Sequence, residues 1–162
     1  MGYSGHKHQK GLKELTLADN NGFVIAPLVV RPVNQHDTLL LSESLDNLVD
    51  IAYWHNLDIQ NSYLTLDTGF DSDYNDGLIR SLGMIPVIKP NRRALNEKQW
   101  QTRLYNFEPL ENVYKERYKV ERTFSWRSKY RKLVIRYEKL ECTHNGFKYL
   151  AYSLVNLRVF LL

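Results

Sequence analysis

Apolar and polar positions along the chain fall into blocks of changing period. "KELTLAD" (13–19) alternates apolar and polar residues, the period of two of a half-buried strand. Asn20, Asn21 and Gly22 follow, residues that tolerate positive φ, and "FVIAPLVVR" (23–31) then gives an apolar run. Two strands about such a turn predict a β-hairpin. Pro32 closes the second strand, and Asp37 in "NQHD" stands as the N-cap of a helix. Leu41, Leu45, Leu48, Ile51 and Ala52 recur at helical spacing, which carries that helix to about Trp54.

"SYLTLDTGFDS" then predicts a short strand. Leu64 and Leu66 flank Thr65, and the strand ends on Asp67 before Thr68 and Gly69, where glycine is expected to let the backbone turn sharply. A helix over Asp73–Leu82 breaks at Gly83, and "IPVIKP" (85–90) forms a further strand closed by Pro90. The polar stretch 97–103 carries no predicted element. Helical spacing resumes from about Leu110, and a last apolar helix runs from about Asn145 to Leu162. The order β-β-α-β-α-β-α-α, without repeats or low-complexity linkers, predicts one α/β domain over residues 1–162, its mixed sheet flanked by helices.

With 162 residues the chain is long enough for a real core, and 43% hydrophobic with 25% charged residues is the balance of a globular protein. No apolar run approaches the length of a membrane span, and no apolar block follows the basic N-terminus to make a secretory signal. Cys142 is the single cysteine, which excludes an internal disulfide and a cysteine-rich zinc site. It fits a reducing compartment, so a cytoplasmic location is expected. His6 and His8 in "GHKHQ" lack a nearby third ligand and make a poor metal site.

Charge changes the picture more. The net charge is only +4, yet residues 115–139 hold ten Lys or Arg against three acids, while residues 37–76 hold no Lys or Arg at all. Such asymmetry points to a polyanion partner for the C-terminal half, or to a solvated basic helix face. Within this block lies "YKERYKVERTFSW" (114–126). On a continuous helix Tyr114, Arg117, Glu121 and Ser128 fall within an arc of roughly 60°, at about 100° per residue. Val113, Val120 and Phe124 form the neighbouring apolar stripe, placing Glu121 at the edge of the buried seam. An ordinary ion pair between Arg117 and Glu121, worth a few tenths of a kcal/mol, is the simpler account of the same spacing.

Tyr114-x2-Arg117-x3-Glu121 resembles the first three positions of the Y-(2)-R-(3)-E-(6)-K signature of DDE transposases from bacterial insertion sequences, closest to insertion-sequence families four and five. The fourth position is Ser128, with Lys129 one residue late. "KGLKELTLADNNG", "RPVNQHD", "LTLDTGFDS" and "ERTFSWRSKYRKLVIRYE" resemble further family segments in order, so the likeness covers nearly the whole chain. It implies an RNase H-like core that cuts and joins DNA through two divalent cations, Mg²⁺ or Mn²⁺. Asp67 and Glu121 would be the second and third catalytic and metal-holding acids. Arg117, Lys129 and Arg122 would grip phosphates, and Tyr114 would position DNA or its own helix. Trp126 would stack on a base or, like Tyr130, pack in the core.

The family's first aspartate lies on a strand before "KGLK", and none of Met1 to Leu12 is an acid. The resemblance therefore implies a C-terminal part of a transposase, N-terminally truncated and lacking the first catalytic strand. Such a chain is expected to hold its cations poorly and not to transpose alone, and an open sheet edge would favour self-association or pairing with an N-terminal transposase segment. A non-catalytic DNA-binding protein derived from a transposase is the alternative.

Overall fold

The hydrogen-bonding needs of the two apolar hairpin segments set the first layer of the structure. It is a computed structural model, and it describes residues 2–4, 9–92 and 95–161. β2 (Gln9–Leu15) pairs antiparallel with β3 (Val29–Pro32), Leu12 opposite Pro32 and Leu15 opposite Val29. A three-residue strand, β1 (Gly2–Ser4), pairs with the other side of β2 and has no counterpart in the sequence reading. Pairing stops short of the hairpin tip, where only an isolated bridge joins Ala18 to Val24. Pro27, which has no N–H to donate, lies in the unpaired stretch between the bridge and β3.

α1 (Asp37–His55) buries Leu41, Leu45, Leu48 and Ala52, the stripe read from the sequence, and packs on β2 and β3. Its N-cap is His36 rather than Asp37: the His36 ring accepts from the Thr38 amide, and Asp37 sits in the first turn. There its carboxylate takes the Lys13 ammonium at 2.6 Å, tying the helix start to β2. Asn56 ends the helix in the left-handed conformation, with φ 51°.

β4 (Tyr63–Leu66) and β5 (Ile85–Ile88) form a second, parallel sheet in strict register, Leu66 opposite Ile88. α2 (Asp73–Ser81) is the crossover between them and packs on β5 through Ile79, which is fully buried. Gly83, at φ 76°, makes the break expected after this helix. The α/β class is thus observed, consistent with an RNase H-like domain, with the antiparallel and parallel strands in separate sheets.

The polar stretch 97–103 is not irregular. It lies within α3 (Glu97–Phe107), started by a capping box in which Asn96 accepts from the Gln99 amide and Gln99 accepts from the Asn96 amide. A short 3₁₀ turn over Glu108–Leu110 leads to α4 (Glu111–Lys115). α5 (Tyr118–Arg127), α6 (Arg131–Val134) and α7 (Glu141–Phe160) follow. Two compact units share the chain: the first is Met1–Leu17 with Ala26–Arg117, the second Ala18–Ile25 with Tyr118–Leu162. Both sheets and α1 to α4 belong to the first unit.

Candidate functional site

In the first unit, the parallel pairing of β4 and β5 brings their carboxyl ends to one side, and Asp67 is the residue that follows β4. This is where open α/β sheets present functional groups. Asp67 is exposed, and its Oδ1 accepts from the Thr68 amide at 2.8 Å, capping a 3₁₀ turn over Thr68–Phe70. That cap, not glycine, makes the turn: Gly69 has no positive φ, and a Cβ there would meet nothing within 4 Å.

The end of the turn is held by Asp71. Its carboxylate accepts from the Asn91 amide at 2.6 Å and from the Arg103 guanidinium, whose other terminal nitrogen donates to Asp73. Asn75 donates to the Phe70 carbonyl at 2.7 Å. The loop carrying Asp67 is therefore fastened to the segment after β5 and to α3. A cavity of about 250 Å³ opens beside this fastening, lined by Asp71, Asp76, Arg80, Arg103 and Phe107 among others.

Tyr114 lies half-buried on α4, its ring edge-on to Phe107 with centroids 5.4 Å apart, and the Arg117 guanidinium lies 5.7 Å from its ring centre. Helix α4 ends at Lys115, and the Glu116 and Arg117 amides make tight bonds to the Val113 and Tyr114 carbonyls. This 3₁₀-type turn interrupts the helix before α5 begins at Tyr118. The continuous face expected to join Tyr114, Arg117, Glu121 and Ser128 does not exist, because 100° per residue does not carry across the interruption. The seam expected from Val113, Val120 and Phe124 is split for the same reason.

In the second unit Glu121 stands exposed in the first turn of α5. The hairpin tip holds this helix. Asp19 accepts from the amides of Asn21 and Phe23, folding the tip into a tight turn, and Gly22 closes it at φ 92°. Lys119 donates to the Asn20 side chain, Arg122 to the Asn21 carbonyl, and the buried Thr123 hydroxyl to the Gly22 carbonyl at 3.0 Å. A Cβ at Gly22 would meet Thr123 Oγ1 at 2.9 Å. From α7, Asn156 accepts from the Val24 amide and donates to its carbonyl, a two-bond mimic of a strand partner.

The same unit gathers cations on aromatics. The guanidiniums of Arg122 and Arg158 lie over the Trp126 ring, 5.1 and 5.5 Å from its centre. Lys129 is exposed just after α5, and Ser128 turns back to donate to the Phe124 carbonyl. The structure thus groups Glu121, Arg122, Trp126 and Lys129 in the second unit, and Asp67, Tyr114 and Arg117 in the first. Among the described residues no group of three His, Cys, Asp or Glu is disposed to hold a metal ion. Each unit offers one of the two expected carboxylates, so neither by itself forms a complete cation site. His6 and His8 lie outside the described residues. Asp71, Arg103 and Asn156 were not singled out by the sequence. Only the second aspartate of "DTGFDS" was a visible signal.

A family profile described as "Transposase DDE domain" matches residues 1–154. The chain belongs to the transposase DDE domain family. No curated protein and no solved structure matches it. Transposase DDE domains act in DNA transposition, and so bind DNA and in general use divalent metal ions. A transposase DDE domain places its acids at strand ends and on a helix, and the exposed Asp67 at the end of β4 has that kind of position. Among the described residues no helix is long and apolar enough to cross a membrane.

Proposed function

We propose that this chain is the C-terminal part of a DDE transposase of the type of insertion-sequence families four and five, supplying the second and third acids of a DNA cutting and joining centre. The observation that carries this reading is the family match together with the exposed Asp67 at the carboxyl end of a parallel strand. Asp67 and Glu121 would hold Mg²⁺ or Mn²⁺, whose chemistry is to activate an attacking oxygen and stabilise the leaving one. No Asp or Glu occurs from Met1 to Leu12, so a further carboxylate is to come from elsewhere, and the isolated chain does not transpose. Tyr114, Arg117, Arg122, Trp126 and Lys129 line the DNA path, Arg and Lys meeting phosphates. Both units work as one catalytic domain in a cytoplasmic setting.

The reading requires Asp67 and Glu121 to converge. With Cys142→Ser as background, cysteines at positions 67 and 121 are expected to be joined by a short bis-maleimide in the folded chain, and Mn²⁺ is expected to slow that reaction in the variants retaining one acid. Absence of the cross-link in folded protein overturns the shared site. Mg²⁺-dependent strand cleavage by this polypeptide, lost in Asp67→Ala, overturns its inactivity.

The second reading, a non-catalytic DNA-binding protein, is favoured by the ten basic residues of 115–139. It is distinguished by duplex binding that persists in Asp67→Ala and Glu121→Ala while no cross-link forms.

A further inference from the structure

Helix α7 carries two stripes of side chains, and the second unit buries one of them. His144, Lys148, Ala151 and Val155 are at most 8% exposed. On the other face Leu150, Leu154, Leu157 and Leu161 are 57%, 42%, 52% and 72% exposed. Their steps of four, three and four are those of a heptad seam, the pattern by which one helix packs along another. The strip is nearly uncharged: after Glu141 the helix has only the buried Lys148 and Arg158 as Lys, Arg, Asp or Glu. Beside its N-terminal half, α6 and α7 enclose an apolar groove of about 210 Å³, lined by Tyr130, Leu133, Phe147, Leu150 and Leu154 and flanked by Arg131 and Lys132. Past the far end of the seam Phe160 stands 77% exposed.

We propose that two copies of the chain pair through α7, antiparallel about a two-fold axis, with Phe160 of each copy entering the α6–α7 groove of the other. The seam specifies a helix of matching spacing as its occupant, and α7 is itself such a helix. An axis between Leu154 and Leu157 sets each of these against the other's equivalent and sets Leu150 against Leu161. The same register brings Phe160 level with Ala151, beside the groove. Charge selects the orientation. A parallel pair would bring the two basic rims at Arg131 and Lys132 together, whereas the antiparallel pair carries them to opposite ends and also opposes the helix dipoles. A contact made twice by the same patch closes on itself and stops at the dimer. The argument rests on the second unit alone and requires neither a strand edge nor catalysis.

The test is the mass of the full chain in solution by sedimentation and light scattering. Twice 19.1 kDa is expected at micromolar concentration. The double variant Leu154→Glu/Leu157→Glu is expected at 19.1 kDa with unchanged circular dichroism, and Leu39→Glu on α1 is expected to remain dimeric. Should the double variant unfold, single cysteines in a Cys142→Ser background decide. A mixture of Leu154→Cys and Leu157→Cys chains is expected to form the mixed disulfide several-fold faster than either chain alone. A wild-type monomer, a dimer surviving both glutamates, or a preference for like-with-like disulfides overturns the proposal. None of these outcomes bears on whether Asp67 and Glu121 converge.

Discussion

Asp67 and Asp71 sit four residues apart in the same loop and do opposite things. Asp67 is exposed and spends one oxygen on the Thr68 amide, leaving the carboxylate facing solvent. Asp71 is only 11% exposed at its side chain and is saturated by a backbone amide and a guanidinium. Removing a largely buried acceptor leaves its donors unsatisfied, so Asp71→Ala is expected to lower stability by about 2 kcal/mol in chemical denaturation. Asp73→Ala, which removes a 95% exposed partner of the same arginine, is expected to change it by less than about 0.5 kcal/mol. A smaller loss at Asp71 than at Asp73 would refute the fastening. Asp67 was legible in the sequence because a strand end and a family motif coincide there. Asp71 was not, since its partners lie 20 and 32 residues away and only the folded chain brings them together.

Elements with one dominant signal were read well from the sequence. α1 followed from its leucine spacing and the break after α2 from Gly83, because apolar period and positive φ act locally. α3 was hidden by its polarity. It has no buried residue, so no apolar stripe announces it, and its start is set by the reciprocal bonds of Asn96 and Gln99. Asn96→Ala is expected to destabilise the protein by about 1 kcal/mol and to lower helicity measured by circular dichroism. The interruption at Glu116 and Arg117 was illegible for a different reason. Neither residue is a helix breaker, so intrinsic preference favours continuing the helix and tertiary packing decides otherwise.

For the whole molecule, the uneven charge seen in the sequence remains the strongest guide to a partner. Residues 115–139 carry most of their Lys and Arg on α5, α6 and the turns around them, and DNA binding through such residues is chiefly counterion release. Duplex affinity is expected to fall steeply between about 50 and 200 mM salt, and Lys129→Ala to weaken binding evenly across sequences while reducing the salt slope by about one. A fluorescence anisotropy titration measures both, and a salt-independent affinity would rule out the phosphate path. The fold class was legible from element order. The division into two units was not, because the hairpin tip follows its own strands in sequence but packs with helices encoded much later.

That packing has a consequence for how the protein is made. Arg122 and Thr123 reach back 101 residues to the tip, and Asn156 reaches back 132. On the ribosome the tip emerges long before the helices that clasp it, so the second unit matures only once synthesis is nearly complete. Closing such long loops slows folding more than it weakens the folded state. A nascent chain halted before α7 would carry a fully synthesised tip whose asparagine clasp had yet to be translated.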